Sequence, residues 1–178
     1  MKEFLEKIRL IEHLTTEVEI QKSEFVATLE RNVDKGGLDF FSDAFDVFSS
    51  SKNEYKGHVG PAGFKIKKRR RLFDMHMSLA VASGSYRQRD EKLVIETEIN
   101  GFSGIMIPFY LFAILFYSIF IVAFIFTDGI KGDTSWFALP FILLHAAFMF
   151  GIPYFIMRRS AKRMKHDLER EFYYLTKK

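Results

Sequence analysis

Cysteine is absent from all 178 residues, which excludes disulfides, cysteine-ligated zinc, iron–sulfur centres and thiol redox chemistry. The signatures of common catalytic sites are missing as well: there is no nucleophile elbow, P-loop, Rossmann glycine pattern or HExxH zinc motif. His13, His58 and His76 are scattered without a second ligand at metal spacing, and Glu17 and Glu19 share one face of a short exposed stretch. The chain is therefore read without catalytic residues, metal or cofactor, and is expected not to be an enzyme.

Charge is the third absence, and it is local. Residues 105–127 (IMIPFYLFAILFYSIFIVAFIFT) and 136–157 (WFALPFILLHAAFMFGIPYFIM) carry no Asp, Glu, Lys or Arg. At 1.5 Å per helical residue, either stretch crosses a hydrocarbon layer about 30 Å thick. A chain this short could not wrap two such helices in a soluble core. Only eight residues, 128–135, separate them, enough for a turn, so the spans are expected to form an antiparallel hairpin. Pro108 and Pro140 sit near helix starts, whereas Pro153 lies deeper and removes one hydrogen bond to residue 149.

What is present then sets the orientation. The loop carries only Lys131, whereas Arg158, Arg159, Lys162, Arg163 and Lys165 follow the second span. The positive-inside rule places both termini in the cytoplasm, in a multi-pass protein of, for example, a bacterial inner membrane. Met1 to Lys7 threads charges through its apolar positions, unlike a signal peptide. Through residue 102 the chain has 17 basic and 17 acidic residues, whereas residues 158–178 have eight and three. The positive excess belongs to the tail.

Three segments follow: a cytoplasmic α+β domain at 1–101, a transmembrane hairpin at 102–157, and a basic amphipathic tail at 158–178. Phe4, Leu5, Ile8, Ile11 and Leu14 recur at helical spacing and predict a helix over 2–14. A short strand is expected at 16–21, then a helix capped by Ser23 with Phe25, Val26, Leu29 and Val33 on one face and Gly36-Gly37 ending it. Phe40, Phe41, Phe45 and Phe48 suggest a third short helix. The period then changes to two over 55–59, 64–68, 79–86 and 93–99, with turns at 60–63 and 88–91. Gly84 inside a strand suggests a bulge or a close backbone approach. The expected sheet is antiparallel with four or five strands and two or three helices on one face. This order resembles the start of a helix-grip (START-like) domain; a pleckstrin-homology-like sheet is a second resemblance. Ala161, Met164, Leu168, Phe172 and Leu175 continue as an amphipathic helix in the tail, expected to pack on the soluble domain or at the membrane interface.

Three sets of residues are functional candidates. Lys67, Lys68, Arg69, Arg70 and Arg71 form the densest charge run of the domain. In a meander whose last strand leads into the first span, two chain reversals place this run at the membrane-proximal end. With Arg158, Arg159, Lys162 and Arg163 it is expected to meet anionic headgroups, each nearby cation contributing about 1 kcal/mol. A nucleic-acid reading lacks an aromatic platform or basic groove. His145, near the middle of the second span, lies level with Tyr117 and Ser118. A hydrogen bond to either hydroxyl is the expected role, with proton handling disfavoured because no second ionisable group lies in the spans. Ala147, Gly151 and Tyr154 form a small-residue face 180–240° around the helix from His145, so both faces cannot meet the first span. One is left for lipid, a second copy or another membrane subunit.

The resulting expectation is a two-span protein whose cytoplasmic domain is a non-catalytic binding or adaptor module on the inner leaflet, its partners membrane lipids and no nucleic acid. The alternative is a helix-grip-like domain that binds or transfers a small apolar ligand or lipid.

Overall fold

The computed structural model describes residues 1–39, 42, 49, 51–70, 78–126 and 135–175. Within it the chain divides into two compact units, one made of Met1–Phe102 with Met157–Lys178, the other of Ser103–Ile156. The first unit is therefore discontinuous in sequence. The class is α+β, as the residue pattern predicts, but the sheet is larger and mixed.

Helix α1, Lys2–Lys7, is shorter than the apolar spacing predicts. The chain turns at Arg9, which adopts φ +57°. The N–H of Leu10 bonds to the carbonyl of Leu5 and that of Arg9 to Glu6, both at 2.9 Å, and Leu5 and Leu10 are buried. This is the Schellman pattern, with its usual apolar contact between the residues that flank it. It releases Ile11 into strand β1, Ile11–Val18, which begins five residues before the predicted strand. Leu14, expected on the first helix, is buried in the core from this strand, as is Val18.

Helix α2, Lys22–Asn32, starts at an extended Gln21, and no local side chain caps it. The cap predicted from Ser23 is replaced by a tertiary one: Gln88 Oε1 accepts the N–H of Lys22 at 2.9 Å. Phe25 and Leu29 bury its inner face. The helix ends directly in β2, Val33–Lys35.

β3 (Tyr55–Val59), β4 (Gly63–Lys68), β5 (Val81–Arg89) and β6 (Lys92–Asn100) complete a sheet in the order β1-β6-β5-β4-β3-β2. All neighbours are antiparallel except β2 and β3, which run parallel. A parallel pair needs a crossover, and residues 36–54 supply it. The phenylalanine cluster expected to form a helix there lies outside the described residues. Gly60 and Gly63 exchange backbone bonds across the β3–β4 turn, and Asp90, at φ +50°, makes the two-residue turn of β5 and β6. No bulge interrupts Gly84: register runs continuously through Phe64, Gly84 and Thr97. The close approach is real, since a Cβ at Gly84 would lie 2.3 Å from the Phe64 ring. Phe64 covers the bare backbone of its cross-strand neighbour.

One sheet face carries Phe64, Ile66, Ala82, Tyr86, Leu93, Ile95 and Ile99 into the core. The other carries His13, Thr15, Ser83, Ser85, Glu96 and Lys65 in solvent, the alternation of a half-buried antiparallel sheet. Ala161, Met164, Leu168, Phe172 and Leu175 close the core from the C-terminal helix. Phe172 meets the rings of Phe25 and Phe64 edge-on at 5.6 and 5.9 Å, a geometry that favours aromatic pairs beyond the area they bury.

The second unit contains α3, Met106–Phe126, and the first part of α4, Ser135–Leu175. Pro140 and Pro153 lie inside α4. Both helices are long and apolar enough to cross a membrane, and only 11% and 6% of their apolar windows are buried within the protein. A core helix of a soluble domain would be mostly buried. Here Leu111, Phe112, Leu115, Ile119, Phe141 and Leu144 are exposed, and contiguous apolar surface of this kind ordinarily marks contact with a membrane or another protein.

Candidate functional site

The site begins at one end of the sheet. Ile11, Asn100, Val81, Lys67 and Lys56 stand in one register row across β1, β6, β5, β4 and β3. Just beyond β6, Gly101 packs so closely on α4 that a Cβ would lie 2.6 Å from the carbonyl of Met157 and 3.0 Å from Ala161. Just before β5, the N–H groups of Leu79 and Ala80 donate to the buried Ser160 Oγ at 2.9 and 3.0 Å. The same end of the first unit thus receives α4 and carries the basic run. Arg158, Arg159, Lys162 and Arg163 enter there on the helix.

The nine basic candidates do not share one role. Lys67 is 3% exposed and sits opposite Lys56, 1% exposed. Lys56 Nζ donates to Ser42 Oγ at 2.9 Å. Asp39 lies in the field of both lysines; its carboxyl is held below its usual range first by backbone hydrogen bonds from Ser42 and from its own N–H, then by the two ammonium groups. Lys68 Nζ reaches Asp167 of α4 at 2.7 Å and Glu54 at 3.7 Å, which ties β4 to the helix that covers it. Arg69 pairs with Asp34 at 2.8 Å and donates to Ser49 Oγ at 2.9 Å. The Asp34 carboxyl is lowered by the Ser51 hydroxyl first, then by Asn53 and Arg69. Arg70, Arg159 and Lys162 are exposed, Arg158 and Arg163 partly so. Arg71 lies outside the described residues.

Two contributors were not singled out by the sequence reading. Ser160 had a usable signal, a hydroxyl on an otherwise apolar helical stripe between Met157 and Ala161. Lys56 had none, because a lysine at an outward strand position ordinarily meets water.

In the second unit, α3 meets α4 through Ala113 and Tyr117 against Ile142, Ala146 and Phe150. Tyr110 stacks on Phe150 at 5.7 Å with rings 9° apart. Tyr117 Oη lies 2.6 Å from His145 Nδ1, and Phe141 stacks on the imidazole, 6.3 Å between centroids and 10° between planes. Ser118 is exposed and does not share this bond. The face of α4 turned to α3 is that of Ile142, Ala146 and Phe150. Ala147 lies off it and is exposed, and a Cβ on Gly151 would meet only the edge of Phe155, at 4.0 Å. Tyr154 sits against the ring of Phe155.

The interior of the first unit holds a further polar feature. Tyr86 Oη and Thr97 Oγ1 are buried on the core face of the sheet without a hydrogen-bond partner among the described residues. Burial raises the Tyr86 phenol well above its ordinary value. The rings of Phe25 and Phe64 pack on Tyr86 at 5.8 and 5.7 Å.

Comparison with protein-family models, with curated proteins and with solved structures returns no match. The class rests on the chain alone: an α+β unit, discontinuous in sequence, with two membrane-capable helices between its parts.

Proposed function

We propose that this chain is a multi-pass membrane protein whose first unit is a non-catalytic binding module on the cytoplasmic leaflet. The observation that carries the reading is the discontinuity of that unit. A chain that leaves it after Phe102 and rejoins it at Met157 must cross a bilayer an even number of times, and two apolar helices lie between those points. Both termini then share one side, and the Lys/Arg excess after the second helix favours the cytoplasm.

Arg70, Arg158, Arg159, Lys162 and Arg163 are the cations this reading assigns to anionic headgroups, since Lys67, Lys68 and Arg69 are engaged inside the unit. The test is the preference of the reconstituted full chain for phosphatidylglycerol over phosphatidylcholine, measured with spin-labelled lipids. Replacing Arg158, Arg159, Lys162 and Arg163 by glutamine removes a preference of about 1 kcal/mol per residue at low salt. Equal preference in both proteins would reject the assignment.

The second reading, an internal ligand site between sheet and helices, is favoured by the hydroxyls of Tyr86 and Thr97, which have no partner among the described residues. The mutual contacts of Phe25, Phe64, Tyr86 and Phe172 weigh against it, because these rings occupy the same interior. Solvent extraction of the purified chain followed by mass spectrometry separates the two. A stoichiometric small molecule supports the ligand reading, and its absence supports the lipid-surface module.

A further inference from the structure

Strand β1 forms one edge of the sheet. The N–H of Gly101 donates to the carbonyl of Leu10, in register with the β1–β6 ladder, which turns the backbone of Glu12, Leu14, Thr16 and Val18 toward β6. The N–H and C=O groups of His13, Thr15 and Glu17 therefore point out of the sheet. None of them has a hydrogen-bond partner among the described residues. Edge strands are ordinarily blunted by shortness, proline or a bulge. The opposite edge, β2, has three residues, whereas β1 has eight, contains no proline and pairs with β6 without interruption.

A groove of about 630 Å³ runs between this edge and α4, lined by Thr16, Val18, His166, Glu169, Arg170 and Tyr173. The side chains of Thr16 and Val18 face it, and those of His13, Thr15 and Glu17 lie on the solvent face of the strand. Val18 and Tyr173 make its wall partly apolar. Thr16 Oγ1 is buried there without a hydrogen-bond partner among the described residues. Charge along the edge is mainly acidic. Glu17 and Glu19 are exposed and make no ion pair among the described residues, Glu169 meets His166 at 3.8 Å, and Arg170 is offset by Asp167 at 3.8 Å.

We propose that β1 takes up an extended segment of another protein as a seventh, antiparallel strand. Its basic side chains stand beside Glu17 and Glu19, and its small apolar or hydroxyl side chains lie over the groove. Backbone hydrogen bonds hold such a strand, and the alternate side chains select it. A threonine opposite Thr16 supplies the hydrogen bond that the buried hydroxyl lacks. The inference rests on the reading of the first unit as a binding module and names the chemistry of its partner.

The test uses the full chain in nanodiscs of phosphatidylcholine, whose neutral surface does not attract lysine, with empty nanodiscs as the blank. The probe is a fluorescein-labelled peptide, Lys-Val-Lys-Thr-Lys-Val-Lys, followed by anisotropy. Its third, fourth and fifth residues fall opposite Glu17, Thr16 and Thr15. Saturable binding is expected, and the counterpart with glutamate for lysine should bind about tenfold more weakly. Thr15→Pro removes an outward N–H and no β1–β6 bond, a substitution that edge strands tolerate. It should weaken binding about fivefold or more, with near-ultraviolet circular dichroism unchanged. A control leaves the protein untouched: N-methylation of the fifth residue of the probe blocks an amide aimed at β1 and should abolish binding, whereas N-methylation of the fourth, aimed away, should not. Absence of saturable binding to wild type would overturn the proposal, as would equal effects of the two methylations or unchanged affinity of folded Thr15→Pro. Dimers of wild type that Thr15→Pro disperses would assign the edge to a second copy and overturn it too. Binding in neutral nanodiscs requires neither an anionic headgroup nor a particular side of the membrane, so these failures reject the edge and leave the lipid-surface reading to its own test.

Discussion

Ser160 Oγ accepts the N–H of Leu79 at 2.9 Å. That bond joins the part of α4 beyond its apolar stretch to the residues that lead into β5, and it recurs one residue on, at Ala80. Removing the hydroxyl leaves two buried donors without partners, at about 1–3 kcal/mol each. Ser160→Ala is therefore expected to lower the stability of the first unit by about 2–4 kcal/mol, read from thermal unfolding of the full chain in detergent. An unchanged midpoint would mean that the contact is replaceable.

The first unit is expected not to fold without its returning helix. Phe172 and Leu168 are fully buried against the sheet, and truncating a buried phenylalanine costs about 3–5 kcal/mol. Phe172→Ala should therefore unfold the unit or bring it close to unfolding. A chain stopped after Phe102 should show little native near-ultraviolet circular dichroism and gain it when a peptide of residues 157–178 is added.

Asp34 and Arg69 make a pH-dependent clasp between β2 and the end of β4. The Asp34 carboxyl lies below the usual 3.8 in the folded protein. Its contribution is therefore complete above that value and is lost as pH falls through the lower folded value. Asp34→Asn should cost about 1–3 kcal/mol at pH 7. It should also flatten the decline of stability between about pH 4 and pH 2 relative to wild type. Urea melts across that range check both, and parallel curves for the two proteins would contradict the assignment.

Backbone positions give a pair of opposite signs. Arg9 adopts a left-handed conformation that costs a side chain about 1–2 kcal/mol, so Arg9→Gly is expected to be neutral or mildly stabilising. Gly84→Ala places a methyl group 2.3 Å from the Phe64 ring and should destabilise the unit by about 1–3 kcal/mol. Equilibrium unfolding of the two variants side by side tests whether these placements are right.

Much of the fold was legible where one period runs uninterrupted. The alternation through β3, β4, β5 and β6 marked four strands to within three residues at either end, and the uncharged stretches marked α3 and the apolar part of α4. The failures share a cause: an apolar spacing names a face but not what covers it. Ile8, Ile11 and Leu14 look helical because β1 buries Ile11, Leu14 and Val18 at steps of three and four, and only the turn at Arg9 separates the readings. β2 is three residues long and is held by a parallel partner twenty-two residues away, so no local pattern marks it. The stripe from Ala161 to Leu175 was visible, but the sheet it covers is encoded before the two apolar helices. At the site, residue type signalled the charge of Lys67, Lys68 and Arg69, whereas Asp167, Asp34 and Ser49, which engage two of them, are far away in sequence. Depth along the uncharged stretches sets His145 level with both Tyr117 and Ser118 and cannot choose between them; in the structure Tyr117 Oη lies 2.6 Å from His145 Nδ1.

The most direct measurement is the sidedness of single cysteines in this cysteine-free chain. Glu3→Cys, Glu91→Cys and Glu169→Cys are treated in intact cells with a membrane-impermeant maleimide, beside Gly132→Cys between the spans. The expected result is labelling of position 132 alone, with positions 3, 91 and 169 reacting only after permeabilisation. Labelling of position 91 from outside, or of positions 91 and 169 from opposite sides, would contradict a discontinuous cytoplasmic unit closed by a helix that returns from the membrane.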